Sequence, residues 1–90
     1  MALQNQETSM TSLSFQSGVR KANKKIDKLQ KKTSKDRSRI LEHLKDKAVI
    51  RYYRSIDVNP EEKTDFYKGY YIALSYYFYR GIKFDERQEF

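Results

Sequence analysis

The chain has no cysteine and no tryptophan, and it has only one histidine, one proline and three glycines in 90 residues. Without cysteine there is neither a disulfide framework nor a thiolate zinc site, and a reducing compartment suits such a chain. His43 has no second His or Cys with which to share a metal, and it reads as an ordinary surface or boundary residue of a basic helix. There is no glycine-rich phosphate loop and no serine nucleophile motif. The string Asp57…Glu61-Glu62-Lys63 has the residue types of a carboxylate-plus-lysine metal cluster, but it falls at a helix start, where acids answer the helix dipole. The expectation is a protein without catalytic residues, metal or cofactor.

Long apolar runs are missing as well. The richest stretch, Tyr70 to Tyr79, is about half of what a bilayer-spanning helix needs. The leading MALQNQETSMTSLS carries no basic leader and no apolar core of a secretory signal. A cytoplasmic protein with no membrane partner is expected. Residues 1–12 are polar and aperiodic and are expected to be a flexible segment, leaving 13–90 as a single helical domain. A chain this short buries only about 60% of its unfolded surface, or a little more.

What the chain does have is positive charge and tyrosine. Lys and Arg number 19 against 12 acids, and there are eight Tyr and five Phe, most of them late in the sequence. Phe15, Val19, Ala22, Ile26, Leu29 and Thr33 recur at spacings of four, three, four, three and four, which is one narrow helix face. Thr33 with Asp36 has the form of an N-cap followed by an acid. Apolar residues then resume at Ile40, Leu41, Leu44, Ala48, Val49, Tyr52 and Ile56. No Gly or Pro separates these two patterns. One rod over 14–56 would reach roughly 65 Å with its apolar stripe unpartnered, so two helices folded back are favoured. Asn59-Pro60-Glu61-Glu62 reads as cap, first helical position and acidic first turn, and Gly81 after Arg80 as a left-handed stop. The caps bracket a span of roughly 20 residues, too long for an ordinary strand despite the Tyr and Phe content. The predicted fold is all-α: a compact arrangement of three helices near 14–33, 35–56 and 60–80. A short C-terminal tail follows, whose Ile82 and Phe84 fold back on the bundle.

Charge is polarised along this layout. Residues 20–54 hold fourteen Lys or Arg and four acids, Asp27, Asp36, Glu42 and Asp46. With Ala22 at zero and about 100° per residue, Lys21, Lys25, Lys28 and Lys32 form a stripe between about −60° and −120°, without a carboxylate. Arg20, Lys24 and Lys31 fill the back of the same helix, and Lys35 and Arg39 open the next. These nine residues are the candidate nucleic-acid contacts: a phosphate backbone neutralised by them would release counterions, so binding should weaken with salt. The plain alternative is a solvated face that keeps a small protein soluble. A helix-turn-helix is rejected, because the start of the third helix is acidic where a reading helix would enter the groove.

The third helix is aromatic nearly all round. Phe66, Tyr70, Ala73, Leu74 and Tyr77 make one face, Tyr67, Tyr71 and Phe78 a second, and Ile72, Tyr76 and Tyr79 a third. Two other helices do not easily bury all three. Gly69 and Ala73 also form a small-residue patch open to close approach by another helix. Tyr67, Tyr71, Phe78 and Tyr79 are therefore candidate partner-binding residues, set against the reading of tyrosine as ring-in, hydroxyl-out core.

The leading expectation is a small basic accessory or regulatory protein that binds nucleic acid or a nucleoprotein through its first two helices. The alternative is a protein-interaction module seeking an acidic protein surface, such as a phage or mobile-element inhibitor of a host nucleic-acid enzyme. A homo-oligomeric or structural subunit of a larger assembly is third.

Overall fold

The computed structural model describes residues 12–58 and 61–85. Residues 1–11, expected to be flexible, lie outside these, as do the expected cap Asn59 with Pro60 and the end of the tail from 86. The side chains of Asp57, Glu61 and Glu62 are likewise outside the described set.

The fold is all-α, with α1 over Leu13–Leu29, α2 over Ser34–Val58 and α3 over Glu61–Arg80. Each described helix end follows local chemistry. The Ser12 hydroxyl accepts the Phe15 N–H at 3.1 Å, so a residue assigned by sequence to the flexible segment is the N-cap of α1. The same hydroxyl donates to the Asp65 carboxylate at 3.1 Å, tying the start of α1 to α3. At the other end α1 stops at Leu29, four residues short of expectation. Thr33 continues the apolar spacing, but its hydroxyl accepts the Asp36 N–H at 3.2 Å and its carbonyl accepts from Arg37 at 2.8 Å. Capping α2 and extending α1 are mutually exclusive for Thr33, and capping wins. Gly81 takes φ 77°, and its N–H reaches the Tyr77 carbonyl at 2.8 Å, the left-handed stop expected after Arg80.

Helix α3 is the centre. It packs along α1 and along α2, which share little direct contact with each other although only residues 30–33 join them. The described chain measures 49 × 26 × 17 Å, with α1 and α2 packed on two flanks of α3. Phe15, Val19, Ala22 and Ile26 are completely buried, with Ala73 and Leu74 opposite. Each large side chain of that set gains about 1.5–3 kcal/mol from leaving water.

Two glycines set the distance between α1 and α3. A Cβ built at Gly18 would collide with the Phe66 carbonyl oxygen and stand 2.8 Å from Tyr70 N; one at Gly69 would collide with the Phe15 carbonyl oxygen and lie 3.3 Å from its Cα. The small patch around Gly69 is thus filled from within by α1, where sequence left it open to another helix. The tail closes that seam. Phe84 is 1% exposed, its ring 6.3 Å from Phe15 and 5.3 Å from Tyr76, both edge-on. Its carbonyl accepts from Asn23 Nδ2 at 3.2 Å, and Lys83 pairs with Asp27. Ile82, expected to fold back too, is 58% exposed, because the chain leaving Gly81 turns only Phe84 inward.

Candidate nucleic-acid interface

Because α1 and α2 are held apart by α3, a cleft opens between them. Lys25 from α1, Leu44, Lys47, Ala48 and Arg51 from α2, and Tyr70 from α3 line a cavity of about 100 Å³. No carboxylate is among these residues. On α2, Lys47 and Arg51 are one turn apart, and both also line a second hollow of about 290 Å³ with Ile50 and Arg54. The cations of two helices therefore face one gap, and none of Lys25, Lys47 and Arg51 forms an ion pair among the described residues.

Tyr70 forms the floor. It is 8% exposed, with its ring stacked on Phe66 at 6.3 Å and 11°. Its hydroxyl has no hydrogen-bond partner among the described residues. Burial raises the phenol above its ordinary 10.0, and the nearby Arg51 charge opposes that rise. The phenol therefore stays a neutral donor at physiological pH, beside a guanidinium.

The nine predicted contacts divide by helical phase. Lys25 lines the cleft, Lys21 and Lys28 share its side of α1, and Lys32 lies in the turn beyond the end of that helix. The Lys21 ammonium sits 5.8 Å from the Phe66 ring centroid, a cation–π contact at the rim. Arg20 and Lys24 are exposed on the back of α1, away from the cleft, and Lys31 is exposed in the turn that follows the helix. Lys35 is exposed at the start of α2, and Arg39 is bound to Asp36 at 2.9 Å on the outer side. Sequence reasoning missed Lys47, Arg51, Arg54 and Tyr70. The signal was present in the spacing Lys47, Arg51, Arg54 beside the buried Leu41 and Ala48, which puts a second basic stripe next to the apolar face of α2.

The four predicted partner residues on α3 are not all alike. Tyr67 is half-buried, edge-on to Phe66 at 5.7 Å, and Tyr71 is half-buried against Tyr52 at 5.1 Å. Phe78 is half-buried toward α2, where the Lys45 ammonium lies 5.1 Å from its ring. Lys45 is held above its ordinary value, first by its 2.9 Å hydrogen bond to Asp46, against desolvation that lowers it. Tyr79 is 73% exposed. Tyr71 and Tyr79 line a shallow groove of about 250 Å³ with Ile72, Ser75, Tyr76 and Arg80, facing away from the basic cleft, and the Tyr79 ring also packs edge-on to Phe78 at 5.0 Å. With α1 and α2 on its flanks, no residue of α3 from Thr64 to Phe78 is fully exposed.

Among the described residues no group of three His, Asp or Glu is placed to hold a metal ion, and no helix is long and apolar enough to cross a membrane. No protein-family model matches the chain, and no similar curated protein or solved structure was found.

Proposed function

We propose that this protein is a non-catalytic accessory or regulatory factor that binds nucleic acid, or a nucleoprotein, along the basic side of α1 and α2. The observation that supports it is the facing of Lys25 on α1 and Lys47 and Arg51 on α2 across a cleft without carboxylates. A solvated face kept for solubility has no need to converge its cations from two helices. Convergence concentrates positive potential where a chain of phosphates would lie. Contacts of this kind position a backbone and read shape rather than sequence.

The test is fluorescence anisotropy of labelled single-stranded and duplex DNA and RNA at about 50 and 200 mM salt. Saturable binding that falls with salt is expected. Reversing Lys21, Lys25, Lys28 and Lys32 to Glu should abolish it while circular dichroism stays unchanged, because these side chains are exposed or half-buried. A folded quadruple variant that still binds refutes the assignment.

A protein-interaction module is the second reading, supported by the aromatic groove on the far side of α3. Tyr79→Ala separates the two readings: it should leave anisotropy untouched and weaken only a protein partner. Tyr79 suits this better than Tyr67 or Tyr71 because it is largely exposed, whereas the other two are half-buried.

A further inference from the structure

The geometry points to a discrete phosphate seat in the cleft, with Lys25, Lys47 and Arg51 around the anion and the Tyr70 hydroxyl donating to it from the floor. The proposal rests on the nucleic-acid reading for the source of the phosphate, though not for the phosphate itself.

Five features fit together. The cavity, about 100 Å³, has room for a few waters or one tetrahedral oxyanion at a water's share of about 30 Å³, and none for a nucleobase. Its polar side chains, two ammonium groups, a guanidinium and a phenol, can each donate to an anion. The three cations are not neutralised by any carboxylate among the described residues, so an entering anion displaces no existing ion pair. The Tyr70 ring lies flat on Phe66 and is 8% exposed, so only its edge is offered to a ligand. A base therefore cannot stack there, while a hydrogen bond from the hydroxyl remains available. Leu44 and Ala48 form an apolar wall that lowers the local dielectric and strengthens each charge-assisted bond.

The seat also makes a distinction that a general basic surface does not. Arg51 supplies a planar fork, which lysine cannot reproduce, so Arg51→Lys should lose affinity although the charge is kept. Tyr70→Phe removes one donor and leaves the packing of the ring intact. Lys24, on the back of α1, and Lys31, in the turn that follows it, carry the same charge as Lys25 and Lys47 but do not line the cavity.

The experiment has two arms. In the first, a 5′-hydroxyl oligonucleotide is titrated by anisotropy against the full chain and the variants Arg51→Lys, Lys47→Gln, Tyr70→Phe, Lys24→Gln and Lys31→Gln. In the second, inorganic pyrophosphate is titrated while amide and side-chain shifts are followed by NMR. Losses of about tenfold for the cleft variants, against about twofold or less for Lys24→Gln and Lys31→Gln, together with pyrophosphate shifts centred on residues 25, 47, 51 and 70, are expected. Pyrophosphate shifts at those residues without oligonucleotide binding keep the seat and overturn the nucleic-acid reading, making the source a small phosphorylated molecule. Oligonucleotide binding that all five variants weaken equally, with no pyrophosphate shifts in the cleft, overturns the seat and leaves a diffuse basic surface. If neither ligand perturbs the cleft, both assignments fail.

Discussion

The two flanks of α3 are built differently. On the α1 side backbone meets backbone: Gly18 and Gly69 admit carbonyl oxygens where a side chain would stand, and six of the seventeen residues of α1 are buried. On the α2 side contact runs through side chains. Among its described side chains only Leu41, Ala48 and Ser55 are buried, while Ile50, Tyr53 and Ile56 remain exposed. The joint there consists of the Tyr52–Tyr71 ring contact, Lys45 over Phe78, and the Ser55 hydroxyl 3.3 Å from that of Thr64. One wall of the cleft is therefore fixed to its floor, and the other leans on it through adjustable contacts. A binding groove with one rigid and one compliant wall can keep its ligand geometry while accommodating the ligand's width.

The sharpest way to break this contrast is to add a side chain on the rigid flank. Gly18→Val or Gly69→Val should cost about 3 kcal/mol or more, enough to leave much of the chain unfolded, as read by urea denaturation. A stable Gly69→Val protein would mean that the close approach of α1 is not the basis of the fold. A gentler comparison truncates one core residue on each side. Ile26→Ala should lose about 4 kcal/mol, because a fully buried site locked between helices cannot collapse, and Leu41→Ala about 2 kcal/mol, because α2 can settle into the space. Equal losses would remove the distinction.

The smallest effect is alkaline. Burial raises the Tyr70 phenol, and burial followed by the neighbouring Tyr52 and Tyr53 raises that of Tyr71. For both groups the folded value lies above the unfolded one. Their contribution is fully present below the ordinary value of 10.0 and is lost as pH rises through the folded value. Stability should accordingly decline above pH 10.0, and Tyr70→Phe should flatten the decline more than Tyr71→Phe, since Tyr70 is the more deeply buried of the two. Denaturation curves across that range, fitted for each variant, decide it.

Much of the fold was legible because α1 and α3 announce themselves locally. The four-three spacing from Phe15 to Leu29 is an intrinsic signal, and so are the Thr33 cap and the Gly81 stop. Ser12 was missed because a capping hydroxyl inside a polar stretch has no periodic neighbour before it. The pairing of Gly18 with α3 was invisible for another reason. Read alone, a glycine near a helix start only weakens the first turn; its use appears once a second backbone is brought against it. The candidate site was half legible. Density of lysine pointed to α1, where Lys25 lines the cleft and Lys21 and Lys28 share its helical phase, while Lys32 falls beyond the end of the helix. Lys47 and Arg51 were counted in the charge of 20–54, but their role depends on how α2 is rotated about α3. That rotation is fixed by contacts such as Tyr52 on Tyr71, which no local pattern encodes.

The position of α3 between two helices that scarcely touch has a consequence for how the protein is made. A nascent chain that has exposed α1 and α2 holds a hairpin with no interface of its own, and helices of this length are marginal alone. Nothing can be secured until the stretch from Phe66 to Leu74 has left the ribosome and both flanks can dock at once. Phe84, which seals α1 against Tyr76, must follow. Folding is therefore deferred until α3 and the segment through Phe84 have both been made. Until then the lysine-rich segments travel as unpaired polycation, next to ribosomal RNA.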